Sequence, residues 1–284
     1  PFEAKLQKID GKSFTLGNEE DATAVVTEVE GVDFEVTRVK RRERRKNPSA
    51  PFMTSTLQQE ASKRLRYSAK RTMSLAQLLY QGVQVGSRGQ VGLITYMRTD
   101  STRVAGSAVA EARDWVAAEF GSDYNSEKAR SYGGDATKGA QDAHEAIRPT
   151  DVTITPTEAA QVLDRDLARL YELIWLRFVA SQMAPAVYDT TTIEFDLEGS
   201  AGRTFTYRST GSVLKFAGFT KLYEEATEAG DHRRLGDLDP LPALDEKEVA
   251  ERTSIEPKQH FTQPPPRFSE ASLVKEMEKL GIGR

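Results

Sequence analysis

Cysteine is absent from the 284 residues, which excludes disulfides, thiolate zinc sites and cysteine nucleophiles within them. Any chemistry must therefore use oxygen or nitrogen groups. Histidine is scarce, with three residues, and His232 and His260 sit in loop-like surroundings and make no recognisable set. No stretch approaches the roughly 18 consecutive apolar residues of a membrane span. The opening PFEAKLQKID lacks the basic-then-apolar order of a signal peptide, so a cytoplasmic location and no membrane partner are the expectation. A Walker A loop, a Rossmann glycine pattern and an HExxH pair are also missing, and nothing supports ATP use.

What is present is a long, heavily charged chain, 38% hydrophobic and 29% charged, with room for two or three domains. The net charge of −4 is unevenly spread. Arg38 to Arg71 holds twelve Lys or Arg against only Glu43 and Glu60, a net of +10 that leaves −14 on the rest. Such a band suits a phosphate-binding surface and equally suits a solvated strand end and helix face.

The order of patterns along the chain is strands, helices, strands, which predicts a helical domain inserted into a β-rich one. FEAKLQKIDGKSFTL alternates around Asp10-Gly11 and reads as a hairpin. Asn18 caps a helix through Glu30, and VDFEVTRV reads as a strand running into the basic run. Two helices follow, STLQQEASKRLRY and KRTMSLAQLLYQGV, resembling a helix-turn-helix pair. LITYM reads as a short strand, and another helix covers roughly Ser107 to Phe120. Asp123 to Lys138 reads as a mobile loop and Thr157 to Met183 as one helix. Beyond these come the strand-like VYDTTTIEFDLE, RTFTYRS and VAERTSIEP, then a helix capped by Ser269. Polar linkers near Pro48 and Met183 are expected to act as hinges.

The stretch richest in reactive groups is GLITYMRTDSTRV, Gly92 to Val104. Strand geometry would send Tyr96, Arg98 and Asp100 to one side. A phenol with an ordinary pKa of about 10 becomes a usable nucleophile only where a cation favours its phenolate. Arg98 supplies a cation whose planar fork suits a phosphate. Spacing leaves the plainer reading open: Tyr96 as a core residue, Asp100 or Ser101 capping the next helix, Arg98 paired with Asp100. His144, beside Glu145 and Arg148, suits phosphate binding, proton transfer or a structural hydrogen bond.

Four blocks in order, APFMTSTLQQEA, GLITYMRTDSTRV, QDAHEAIRPTDV and PPPRFSEASLVKEMEKLGIGR, resemble signature blocks of the bacterial type IA DNA topoisomerases. The resemblance implies single-strand cleavage, a 5′-phosphotyrosine link, strand passage and religation without ATP, relaxing negatively supercoiled DNA. It places Tyr96 on the nucleophile, Arg98 on the arginine that stabilises the scissile phosphate, and His144 beside that phosphate. Asp100, Arg148 and Arg284 fall on DNA-contacting positions. It further implies Mg²⁺ held by a Toprim domain outside these residues and none bound within them. The implied partners are single-stranded and negatively supercoiled DNA and the other domains of the same enzyme, in a monomer associated with the nucleoid.

The architecture it implies is α+β and multidomain. A β-rich hinge or arch domain, 1–50 with 184–267, would carry an inserted, mainly helical tyrosine domain, 51–183, and 268–284 would begin a single-strand-binding domain. These residues alone are expected to be catalytically incomplete. Two other readings compete: a DNA-binding clamp with a structural tyrosine, and a tyrosine recombinase or type IB enzyme. The last normally places its tyrosine after its Arg and His residues, whereas Tyr96 precedes His144 and Arg148.

Overall fold

The computed structural model describes residues 1–132, 145–226 and 238–282. Two compact units emerge, each described below in its described parts. One comprises Pro1–Arg45, Val187–Phe216 and His232–Pro265, and the other Lys46–Ala186, Ala217–Asp231 and Pro266–Arg284. The fold is mixed α and β, with antiparallel sheets and several helices. No described helix is long and apolar enough to cross a membrane.

The first unit is built on a sheet of β1 (Lys5–Ile9), β7 (Thr204–Phe216), β6 (Ala186–Glu198) and β3 (Arg38–Lys46), in that order. In β6 the run TTTIEFDLE alternates, sending Ile193, Phe195 and Leu197 to one face. There they meet Phe205 and Tyr207 of β7, Val25 of α1 (Glu19–Glu28) and Val29, which caps the end of that helix. Asn18 caps α1 by accepting the Asp21 N–H at 2.8 Å.

Two expectations for this unit change. Asp10 and Gly11 do make a tight turn, with φ of 50° and 71°, but the returning chain keeps only the Ile9–Lys12 bridge. β1 pairs instead with β7, where Leu6 and Ile9 lie opposite Tyr207 and Phe205 and join the core. VDFEVTRV is not one strand: Phe34–Glu35 form β2, which pairs with β8 (Val249–Ala250), while Arg38 and Val39 begin the longer β3, the basic run itself, on the edge beside β6. Charge on an edge strand discourages pairing with other chains.

The second unit centres on α6 (Arg165–Gln182), which is buried almost all round from Leu173 onward. Trp175 meets Trp115 of α4 (Gly106–Phe120) edge to face at 4.7 Å and donates its ring N–H to the Val152 carbonyl. The predicted single helix from Thr157 is broken: α5 (Pro156–Ala159) is a separate turn capped by Thr155. The expected helix pair is α2 (Thr54–Leu65) and α3 (Ala69–Gln81), joined through Arg66 in the left-handed region at φ 60°. β4 (Val83–Gln84) and β5 (Gln90–Val91) form a small hairpin after it.

Residues 123–132, read as a loose loop, are tied down. Arg113 donates to Ser126, Arg130 to the Met183 carbonyl, and the Tyr132 hydroxyl to the Ser181 carbonyl at 2.6 Å. The expected hinge positions, Pro48 and Met183, are buried inside this unit.

The expected bounds put 184–267 in the β-rich part and 268–284 in a further domain. In the structure two of those stretches pack with the helices. Gly218 lies so close to Pro185 that a Cβ would meet its carbonyl oxygen at 2.3 Å, and the buried Tyr223 donates to Glu60. The helix α7 (Glu270–Lys279) packs on α2, its Glu270 carboxylate accepting the Ala69 N–H at 2.9 Å. These ties are tertiary and leave no mark in local periodicity.

Candidate active site

The segment from Gly92 to Arg103 is held as an irregular extended strip and not as the predicted strand. Among the described residues no strand runs beside it; its hydrogen bonds go to separate parts of the helical unit. The Leu93 N–H donates to the Leu79 carbonyl at 2.7 Å, and Ile94 bridges Pro149. Gly92 cannot be otherwise, since a Cβ would stand 2.7 Å from the Tyr80 carbonyl oxygen. The Thr95 N–H donates to the Arg148 carbonyl at 2.9 Å, and its hydroxyl donates to the Ala146 carbonyl while accepting the Arg148 N–H.

Beyond Tyr96 the strip is clamped by Thr54, the first residue of α2. The Thr54 N–H donates to the Thr99 carbonyl, and its hydroxyl accepts the Thr99 N–H at 2.9 Å and lies 2.8 Å from the Met97 carbonyl. Leu93, Ile94, Met97 and Thr99 are thus buried, while Tyr96, Arg98 and Asp100 are exposed. The three candidate side chains alternate with buried neighbours although the strand does not form, because burial of Leu93, Ile94, Met97 and Thr99 replaces sheet pairing in holding the strip.

Tyr96 is 40% exposed, and its ring meets that of Tyr80 from α3 edge to face at 5.4 Å. Among the described residues Arg98 and Asp100 have no ion-pair or hydrogen-bond partner, so they are not paired with each other. Asp100 and Ser101 do not cap the next helix either, because the capping position of α4 is Ala105, which offers no side-chain hydrogen bond. The plainer reading of this stretch thereby loses its pairing and its caps.

Arg148 lies under the strip in a different state. Its side chain is 13% exposed, pairs with Glu145 at 2.8 Å and donates to the Pro149 carbonyl. His144 and Arg284, two further candidate residues, lie outside the described residues. Sequence reasoning did not single out Thr54, Thr95 or Tyr80. A signal for the first existed in the quoted APFMTST, where hydroxyl residues open a helix, but its partner forty-three positions away carries no local mark.

Thr54→Val keeps the shape and removes the hydroxyl, leaving the Thr99 N–H without its side-chain acceptor. Stability is expected to fall by about 1–3 kcal/mol. Faster amide exchange at Thr99 would register the loosened strip; unchanged melting temperature and exchange would show that the clamp does not hold it.

A family model described as DNA topoisomerase matches residues 2–284. The fold resembles the full-length topoisomerase I of Thermotoga maritima with a TM-score of 0.74 and 36% sequence identity. That match covers 100% of this chain and 42% of the Thermotoga chain. With nearly every residue inside the family match, the chain belongs to the bacterial type IA DNA topoisomerases, a family of isomerases acting on DNA.

Proposed function

We propose that these residues supply the nucleophile, and its phosphate-binding arginine, of an enzyme that relaxes negatively supercoiled DNA. The Tyr96 oxygen attacks the phosphorus of one phosphodiester. A bond forms between tyrosine and the 5′ phosphate, the bond to the 3′ oxygen breaks, and the phenolic proton ends on the released 3′ hydroxyl. Religation is the reverse. One phosphodiester replaces another, so no ATP is needed, and supercoiling strain supplies direction. Arg98 offers its guanidinium to the non-bridging oxygens, where charge builds up in the transition state.

The observation that carries this reading is the pinned strip, with an exposed tyrosine and, two residues on, an arginine that no described residue neutralises. His144 is assigned to the phosphate beside Tyr96, and Asp100, Arg148 and Arg284 to contacts with the DNA strand. Arg148 would have to exchange its Glu145 partner for a phosphate. The helical unit is the tyrosine-bearing domain, and the sheet unit is the arch. Action on chromosomal DNA would place the enzyme with the nucleoid.

The family's Mg²⁺ finds no donor set here: among the described residues no group of three or more His, Asp or Glu side chains could hold a metal ion. In this proposal the ion belongs to a Toprim domain, as the family resemblance implies, and no step is routed through it. By themselves residues 1–284 bind DNA without completing cleavage.

The test supplements the chain with a Toprim-containing piece and Mg²⁺ on end-labelled single-stranded DNA, followed by denaturing electrophoresis. Protein linked to a 5′ phosphate, with a free 3′ hydroxyl on the other product, is expected. A 3′ linkage would instead assign the chemistry to the type IB or recombinase class, and no linkage would leave a DNA clamp with a structural tyrosine.

A further inference from the structure

The basic run that the cleavage chemistry leaves unused forms β3, and its two faces differ. On the face shared with Val39, the charges are matched within the unit: Arg41 pairs with Asp245, and Glu43 with Arg45 and Lys215. The other face presents Arg38, Lys40, Arg42 and Arg44, which with Thr190 and Thr192 of β6 line a groove of about 250 Å³. Here Lys40, Arg42 and Arg44 have no ion-pair or hydrogen-bond partner among the described residues, and Arg38 only approaches Glu194 at 4.0 Å. Glu194, the one carboxylate among the described lining residues, is already taken by Arg208 at 2.6 Å. Edge-strand protection accounts for charge on β3 but not for compensating one face and leaving the other bare.

A second observation comes from the groove floor. Thr190 is 7% exposed, lines the groove, and its hydroxyl finds no hydrogen-bond partner among the described residues. Ser212, opposite it in the β6–β7 register, has the same buried, unpartnered hydroxyl. A buried hydroxyl without a partner is costly, and that of Thr190, in the lining shared with a row of cations, fits a site awaiting acceptor oxygens.

We infer that this face of the sheet is a binding site for the phosphate backbone of duplex DNA, separate from the site of Tyr96. The cations from Arg38 to Arg44 span about 20 Å at roughly 3.3 Å per residue. They form a straight row able to follow one phosphate edge. None of the described residues lining the groove is aromatic. Platforms for single strands stack bases on aromatic rings, whereas a row of cations and hydroxyls reads only the sugar-phosphate edge. The site would hold DNA without regard to sequence.

The test measures binding of a short labelled duplex to the 284-residue chain carrying Tyr96→Phe, so the outcome does not depend on the cleavage assignment. Salt is varied from about 50 to 200 mM. In the combined variant Lys40→Gln, Arg42→Gln, Arg44→Gln, three phosphate contacts disappear. The slope of log affinity on log salt should become shallower by about 2.7, and low-salt affinity should fall at least about tenfold. The pair Arg41→Gln, Arg45→Gln, on the compensated face of the same strand, should leave the slope unchanged. Thr190→Val should raise the melting temperature of the free chain by a few degrees, by removing an unsatisfied hydroxyl, while weakening duplex binding. An unchanged slope in the triple variant, equal losses from both faces, or a larger loss for a single strand than for the duplex would each overturn the inference.

Discussion

Replacing Tyr96 by phenylalanine is expected to abolish protein-linked DNA, lowering adduct formation at least about 10³-fold, while the protein stays folded. The ring supplies the edge-to-face contact with Tyr80, and phenylalanine retains it. The strip around it is fixed through Thr54, Thr95 and the buried Leu93, Ile94 and Met97, none of which the substitution touches. What disappears is the oxygen that would bond to phosphorus, and no other residue in the strip projects a phenol. Binding of uncleaved DNA should persist, because Arg98 remains. An adduct surviving in the variant would move the nucleophile elsewhere; loss of DNA binding alongside cleavage would make Tyr96 a contact residue first.

The largest effect on stability is expected at Arg177, a charged residue that is 6% exposed in the middle of α6. Its guanidinium donates to the Ala50 carbonyl at 2.6 Å and to Glu225, and lies over the rings of Phe52 at 4.9 Å and Tyr223 at 5.6 Å. It thereby joins the chain before α2 to the segment that follows β7, all within the helical unit. Arg177→Ala would leave a buried carbonyl without its donor, a carboxylate without its cation and a void beside two aromatic rings. About 3 kcal/mol of destabilisation is expected, or roughly 6–12 °C in melting temperature. Arg177→Met restores the bulk of the stem but not the polar bonds and should recover part of it.

The same pair sets an acid limit. Burial pushes the Glu225 carboxyl up, but the charge and hydrogen bond of Arg177, helped by Ser49, outweigh it and hold the carboxyl below the usual carboxylate range. Because the folded-state value is the lower one, the stabilisation is complete above the unfolded value of about 4.3 and is lost as pH falls through the folded value. Melting temperature should thus fall more steeply below about pH 4 in the parent than in Arg177→Met. Parallel curves would show that the pair contributes nothing to the acid limit.

These residues also mark where reading the chain succeeds. Asn18, Ser269 and the left-handed turn at Asp10-Gly11 were legible because capping and turn geometry depend on a few adjacent residues. The paired helices, β6 and the first half of β7 were legible from periodicity. The alternation that leaves Tyr96, Arg98 and Asp100 exposed was legible too, although the strand expected to produce it does not form. The misassigned partner of β1, the split of the predicted helix into α5 and α6, and the anchoring of residues 123–132 all turn on contacts between distant segments.

The basic band shows the division most sharply. Composition revealed its net charge, but the same twelve cations serve different ends once folded. Arg64 and Arg71 are neutralised by Glu60 and Asp166 in the helical unit, while one face of β3 is left bare. By itself the chain determined the family, the reactive residue types and the alternation that exposes Tyr96, because motif and period are local properties. Only the tertiary structure decided which charges are spent on partners and which remain for a ligand. Ion pairing and burial depend on what is a few ångströms away in space, and Arg71 and Asp166 are ninety-five residues apart along the chain.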